Sequence, residues 1–412
     1  MANTIVTPSI IAKEALVQLK NSCVMANLVH REYKKEFVKV GDTVSIRKPV
    51  KFYTADGATR VNQDVEEKTT SITIDQRKHV SWSFSSQDLT LSIEQYSERY
   101  IKPAMITLAQ TIDTSVLSMY RNVFNSVGAP GTTPATFNAV AAAAQRLDEM
   151  AVPDDMRRMV VNPAASYAIA ANKLGLDSIG STGTTAYEKA KLTGIAGFDM
   201  YKTSNIRNHT TGTYTTGSTP RVNGAAQNVT YANATGANTQ TIVTDGWANS
   251  TAVLKAGDVI TLAGAYAVNP VPGDGATSKT AMPYLQEFVV MSDVTSSGAG
   301  AATITISPAI ITSGPYQTVT AAPADNAVIA MQGTEATAYP VNVGFHKNAF
   351  ALVTCPLEMP DGAAFKAQES YDGLSVRVVK DYDITNDVDI IRLDVLYGTK
   401  AIYPELACRL WG

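Results

Sequence analysis

The chain has 412 residues and a mass of 43.9 kDa, enough for two or three domains and a substantial core. Hydrophobic residues make up 45% and charged residues 17%, with 34 Lys+Arg against 37 Asp+Glu for a net charge of −3. This composition excludes a highly charged disordered tail, a collagen-like chain and a coiled coil, and the absence of a dense basic stretch argues against sequence reading in a nucleic-acid groove.

The N-terminal stretch MANTIVTPSIIAKEALVQLK lacks a basic region followed by an unbroken apolar one, and no apolar run reaches the roughly 18 residues of a membrane-spanning helix. Cys23, Cys355 and Cys408 are odd in number and have no CxxC spacing, which argues against a disulfide framework and a structural zinc site. The expectation is a soluble chain made in a reducing cytosol, with no membrane partner. The Asn-x-Ser/Thr sequons at Asn208, Asn228, Asn233 and Asn249 then read as by-products of a Thr- and Asn-rich segment.

Residues 7–35 place Ile10, Ile11, Ala15, Leu16, Leu19 and Cys23 close to a helical period, predicting an amphipathic arm. Val38, Val40, Val44 and Ile46 then alternate with polar residues, as do Ile72, Ile74, Val80, Trp82 and Phe84. The pattern predicts a long two-stranded hairpin with a charged tip near 51–68. Such a hairpin is marginal alone and implies a neighbouring body or partner. Ser92 and Gln95 are spaced as a capping box, and apolar positions from Tyr96 to Val123 predict the longest helix of the chain. Pro103 within it marks either a kink or the first turn of the main body. Helices are predicted over Phe137–Met150, Ala164–Lys173 and near Tyr187–Leu192, with a strand at Met159–Val161.

Charge density marks the next boundary. Residues 208–340 carry ten of the 71 charged residues, about 8% of their positions against about 22% elsewhere. Short strands are predicted there at Ala225–Tyr231, Thr239–Val243, Asp258–Leu262, Leu285–Ser292, Ala302–Ser307 and Ala327–Met331, which suggests an inserted antiparallel barrel or sandwich bounded near Thr203 and Tyr339. Strands return at Phe350–Thr354, Leu374–Val379, Val388–Leu396 and Ala401–Leu410.

No catalytic motif stands out. Asp381-Tyr-Asp383-Ile-Thr385 follows an apolar strand as a phosphatase nucleophile loop does, but only 27 residues follow Thr385, and a turn between strands is the simpler reading. As a calcium loop it fails at Asn386 and Arg392, where a Gly and a bidentate Glu are required. Gly298-Ala-Gly300 leads into alternating Thr303–Ile306 and not into a helix, so it is read as a turn. His30, His79, His209 and His346 have no ligand-like spacing, Asp154-Asp155 reads as a charged loop, and Asp113 reads as a polar contact on a helix face. We assign no catalytic residue, cofactor or metal.

The order of elements resembles that of the major capsid proteins of tailed phages, and the local wording carries the resemblance. It lies in Glu98-Arg-Tyr-Ile-Lys-Pro103-Ala-Met, Leu108-Ala-Gln-Thr-Ile-Asp113, Gly194-Ile-Ala-Gly-Phe198, and Val388-Asp-Ile-Ile-Arg392 through Tyr397-Gly-Thr-Lys400-Ala-Ile-Tyr-Pro404-Glu. The insert, with Leu254-Lys-Ala-Gly257-Asp258-Val-Ile-Thr-Leu-Ala-Gly264, is similar to the insertion domain of coat proteins from short-tailed Salmonella-type phages.

The resemblance implies an α+β fold, the Johnson fold shared with herpesvirus capsid proteins, bearing an inserted all-β barrel-like domain. It implies an N-terminal arm over 1–37, an extended loop over 38–86, a spine helix of the peripheral domain within 87–127 and an axial domain over 128–202. The inserted domain would cover 203–340, and the axial return with the peripheral strands 341–412. It further implies a non-enzymatic subunit that self-assembles into pentamers and hexamers of an icosahedral head in the bacterial cytoplasm. The head would enclose double-stranded DNA without sequence readout, with a scaffolding protein and a portal as partners. Asp56, Arg60, Asp64, Glu66, Glu67 and Lys68 at the loop tip are the candidate inter-subunit contacts. The rival reading is a surface or secreted binding protein whose Thr/Asn-rich β-domain recognises a glycan or receptor.

Overall fold

The structure is a computed structural model and describes residues 12–13, 15–19, 23–32, 43–63, 65, 67–85, 100–176, 194–214, 218–234, 238–271, 279–371 and 374–412. The predicted capping box at Ser92 and Gln95 and the predicted helix at 187–192 lie outside these residues. The chain forms two compact units, the first from 1–46, 71–117 and 350–400, the second from 47–70, 118–349 and 401–412.

In the first unit an antiparallel sheet is built around Val388–Ala401. This strand pairs on one side with Leu374–Asp383, itself paired to Phe365–Tyr371, and Phe350–Cys355 belongs to the same sheet. Gln76–Ser85 also pairs with Val388–Ala401 over ten residues, from Gln76 opposite Tyr397 to Ser85 opposite Val388. That pairing corrects the expected hairpin. Among the described residues Thr43–Arg47 pairs with Thr69–Thr73 alone, and the second arm breaks there before Gln76–Ser85 joins the C-terminal sheet. The alternation of Val80, Trp82 and Phe84 is real, but alternation fixes which face is buried and not which strand lies alongside.

The long helix runs over Lys102–Leu117 and continues as a 3-10 turn, Ser118–Asn122. Tyr100 and Ile101, just before it, are π-helical, so Pro103 sits within a helical run at the point where the regular α-helical ladder begins. Met105, Leu108, Ile112 and Val116 form its buried stripe. Asp113 sits on the same buried side and accepts hydrogen bonds from the backbone N–H groups of Val24 at 2.7 Å and Ala26 at 3.0 Å. One carboxylate thereby holds the arm on the helix. The arm residues Ala12, Ala15, Leu16 and Leu19 are helical and buried, and His30 bridges to Ala351 through its N–H to Phe350 O and its C=O from Leu352 N.

In the second unit a five-stranded mixed sheet has the order Ser126–Val127, Ala407–Leu410, Asn342–His346, Arg157–Val161, Asp199–Lys202. The two outer pairings are parallel and the two inner ones antiparallel. Helix Phe137–Glu149, capped by the Thr136 hydroxyl at Ala139 N, and helix Pro163–Leu176 cover it. Val140, Leu147, Met159, Val161, Phe198 and Leu410 are among the residues of the shared core.

The chain leaves this sheet and returns through a two-stranded stalk, Asn208–Thr210 against Ala338–Pro340. Beyond the stalk an antiparallel sheet runs in the order Ile329–Met331, Val259–Val268, Ala281–Val290, Ala302–Ser307, Gln240–Asp245, Arg221–Val222. It closes on itself at the Arg221–Val328 bridge, with Val222 N bonded to Ala327 O and Asn326 N to Val222 O. Closure leaves no long edge to template wrong pairing. Ile242, Leu262, Phe288, Ile304 and Ile306 fill the interior. The strand expected at Ala225–Tyr231 is a loop, since Gly224 and Ala226 both take positive φ and the Gln227 side chain bonds the backbone at Asn223, Gly224 and Val243.

Replacing Asp113 by alanine strands two buried N–H donors, a loss of about 1–3 kcal/mol. Amide exchange at residues 24–28 should accelerate while the barrel amides keep their protection, and unchanged exchange at 24–28 would show that the clamp contributes nothing.

Candidate functional site

The base of the inserted barrel meets the mixed sheet of the same unit in a buried polar junction. Gly257-Asp258 turns the chain into the strand Val259–Val268, and Gly257 has a φ of +102°. A Cβ there would meet Arg121 Cγ at 3.0 Å and His209 Cε1 at 3.1 Å, so both the backbone and the space call for glycine. Asp258 accepts from the N–H groups of Lys255 at 2.8 Å and Gly212 at 3.0 Å, and its other oxygen meets His209 Nε2 at 2.7 Å. His209 Nδ1 continues to the Tyr120 hydroxyl at 3.1 Å. The fully buried Arg409 donates to Gly257 O at 2.7 Å and lies 5.4 Å from the Tyr120 ring centre. Beside it, buried Glu287 of the barrel accepts from Ser126 N at 2.6 Å, Ser126 Oγ at 2.8 Å and Gln332 Nε2 at 2.8 Å. Burial pushes the Glu287 carboxyl above its ordinary value, against the lowering effect of Arg146 and these hydrogen bonds.

These residues tie the base of the barrel to the stalk and to the mixed sheet. A carboxylate, a histidine and a tyrosine in line could pass a proton, but their contacts are filled by backbone groups and buried side chains. In the sequence His209 is one of four histidines without ligand-like spacing, and Gly257-Asp258 is part of the insert's stretch from Leu254 to Gly264. The pair makes a turn, and Asp258 also anchors the stalk.

In the first unit, Asp394 is fully buried and held by three arginines. Arg377 reaches it at 2.5 Å from the directly opposite strand position, Arg392 at 2.8 Å from two residues earlier, and Arg77 at 3.7 Å. Burial pushes this carboxyl up, and the hydrogen bonds and charges of Arg377 and Arg392 outweigh it, leaving the group below its ordinary value.

Of the candidate contact residues, Asp56 and Arg60 are exposed. Asp64 and Glu66 lie outside the described residues. Glu67 forms an exposed pair with Arg47 at 3.5 Å, worth little by itself. Lys68 turns inward: its ammonium donates to the carbonyls of Ala232 and Ala234 and lies 4.9 Å from the Tyr231 ring centre. Tyr231 stacks on Tyr316 at 3.6 Å, and Tyr316 accepts from Lys51 N at 3.0 Å, so the loop is tied to the barrel of its own chain.

Asp381 and Asp383 lie at the end of the strand that leads into the hairpin turn 384–387, and Asp154 pairs with Arg157 at 2.9 Å while Asp155 lies 3.6 Å from His346. The three cysteines are buried and form no disulfide. Among the described residues no cluster of three His, Cys, Asp or Glu is placed to hold a metal, and no helix is long and apolar enough to cross a membrane.

The whole chain, residues 1–412, matches the family described as P22 coat protein, gene protein 5. The chain belongs to this coat-protein family. It is a major capsid protein, a structural component of the phage head shell, which decides against the surface-binding alternative. No curated relative matches it. Among solved structures it is similar to a chain of Mycobacterium phage Che8, at 14% identity and a TM-score of 0.50, covering 94% of this chain and 90% of that one. A chain from the capsid of Myoviridae phage XM1 matches at 10% identity and a TM-score of 0.40, covering 96% and 92%. The fold is the HK97-like, or Johnson, capsid fold with an added barrel.

Two substitutions test the buried charges. Asp394→Asn should destabilise the first unit by about 3–5 kcal/mol, chiefly by leaving the largely buried Arg377 uncompensated while Arg77 and Arg392 stay partly solvated, measured by denaturant unfolding. In the wild type this contribution is fully present above the ordinary Asp value near 3.8 and is lost as pH falls below it through the lowered value of the folded state. Glu287 has the opposite sign: its raised value means stability is lost as pH climbs from 4.5 upward. The melting temperature of Glu287→Gln relative to wild type should therefore rise between pH 4.5 and 8, and a constant difference across that window would contradict the burial cost.

Proposed function

We propose that this coat protein assembles by itself into pentamers and hexamers of an icosahedral head that confines double-stranded DNA by volume. The chain takes no catalytic part. A scaffolding protein and a portal are its partners, and assembly takes place in the host bacterial cytoplasm. What supports the reading is the match of residues 1–412 to the coat-protein family. The near-neutral charge of −3 fits as well, since it limits repulsion between many copies.

Residues 1–37 serve as the arm and 38–86 as a loop that overlaps a neighbouring subunit, where the exposed charges Asp56 and Arg60, with Asp64 and Glu66, set register. Glu67 and Lys68 hold the loop's base. Residues 87–127 carry the spine helix, 128–202 the axial domain, 203–340 the inserted barrel and 341–412 the axial return and peripheral strands. The barrel braces subunits, and its buried junction fixes the angle at which it does so.

The test is negative-stain microscopy with light scattering of the protein expressed alone and with its neighbouring phage genes. Closed shells or regular five- and six-fold capsomers are expected in the second case at least. A chain that remains monomeric in both would overturn the proposal.

A further inference from the structure

Among the described residues the most exposed large apolar side chain is Ile384, at 84%. It begins the turn that joins strands Leu374–Asp383 and Val388–Ala401. The turn is fixed by its own polar groups. Asp383 accepts from Thr385 N at 2.9 Å and Asn386 Nδ2 at 2.6 Å, and the Tyr382 hydroxyl donates to Asp387 at 2.7 Å. The bonds from Asn386 and Thr385 hold the Asp383 carboxyl below its ordinary value, so it is ionised. The result is a pre-ordered apolar knob with a collar of three carboxylates, Asp381, Asp383 and Asp387. Ordering before contact lowers the entropy lost on docking.

The second unit contains the complementary surface. A cavity of about 140 Å³ is walled by the stacked Tyr231 and Tyr316 and by Pro308, and Lys48, Lys51 and Lys279 also line it. Apolar cavities of about 150 Å³ take one benzene-sized group, which is the scale of a single branched aliphatic side chain. The charge is one-sided, with three ammonium groups against one lining carboxylate, Glu405. Lys279 is held by the carbonyls of Pro315 at 2.8 Å and Gln317 at 3.2 Å, and burial together with the charge of Lys51 lowers it to about 8. Such a site favours an incoming anion that carries its own apolar tip.

We propose that the Ile384 turn of one copy docks into the Lys48–Lys51–Lys279 cavity of a second copy, with Ile384 filling the space and Asp381, Asp383 and Asp387 facing the ammonium groups. A contact between two unlike surfaces of the same chain is heterologous and propagates head to tail, which a closed shell requires and a two-fold dimer does not. The apolar knob gives the contact its strength and the charges its register, since exposed pairs contribute little by themselves.

The test uses the full chain under conditions where the wild type forms shells, so that failure of shell formation itself is read separately. Chains carrying Ile384→Cys and chains carrying Lys51→Cys are co-assembled in equal amounts and treated with a short bis-maleimide. A cross-linked dimer that needs both variants is expected. No dimer from the mixture in closed shells, an Ile384→Cys dimer formed without the other variant, or a link from Lys51→Cys to a different protein would each overturn the docking. In parallel, Ile384→Asp should leave the melting temperature of the unassembled subunit unchanged and raise the concentration needed for assembly about tenfold. Lys51→Glu should slow assembly, and Asp381→Lys added to it should restore the rate; two slow single variants with no recovery on combination would count against the pairing.

Discussion

Everything distinctive in the second unit depends on one constraint: a barrel of more than a hundred residues is hung from a sheet by two short strands, and those strands alone cannot set its angle. The entropy of inserting so long a segment grows only with the logarithm of its length, so holding its ends at Asn208–Thr210 and Ala338–Pro340 is thermodynamically cheap. Orientation is the harder requirement. It is met by placing charged groups where they have directional partners, Asp258 on His209 and two N–H groups, Arg409 on the Gly257 carbonyl, and Glu287 on Ser126 and Gln332. Hydrogen bonds fix direction as well as contact, since they weaken steeply away from their preferred angles.

The first unit solves a related problem with the same means. Burying the arm's apolar side chains alone would leave backbone N–H groups such as those of Val24 and Ala26 unsatisfied. Asp113 supplies two acceptors at the position where the arm crosses the helix, and His30 adds a short parallel bridge to Phe350–Cys355. On the sheet, Asp394 makes the opposite trade, gathering three arginines around one carboxylate on the central strand. At both carboxylates desolvation is offset by backbone or charge-assisted hydrogen bonds, with the buried Nε of Arg377 left without a partner among the described residues, and losing those bonds would cost more than an apolar residue in the same place.

Periodicity made the barrel strands at Val259–Leu262 and Ala302–Ser307 and the helix at Phe137–Glu149 legible, because burial on one face writes itself into the alternation or the 3.6-residue repeat. The thin charge of residues 208–340 pointed to the insert for a related reason, since a small closed barrel turns many of its positions inward and fills its turns with Gly, Asn and Ser. Partner choice left no such mark. The alternation of Val80, Trp82 and Phe84 is equally consistent with a local hairpin and with the distant strand Val388–Ala401 that the segment joins. The junction was illegible for the same reason: Tyr120, His209, Asp258, Glu287 and Arg409 are separated by tens to hundreds of residues, and each looks like an ordinary polar position until the fold brings them together. Lys68 belongs in this group as well, since a lysine in a charged tip reads as solvated until Tyr231 and two carbonyls enclose its ammonium.

For a subunit repeated many times in a shell, these interior choices bear on the exterior. Each contact between copies must be weak enough to break when misplaced, so its strength cannot supply the accuracy of the final lattice. Accuracy must then come from the rigidity of the parts that carry the contacts. A barrel tilted by a few degrees about its stalk would move its far loops by several ångströms, enough to lose a hydrogen bond or open a packed surface to water. Buried directional bonds at the stalk suppress that tilt at its source. This is the physical case for a coat protein that keeps Arg409, Asp258 and Glu287 in its interior, where hydrophobic replacements of equal volume could give the same stability with less definition of angle.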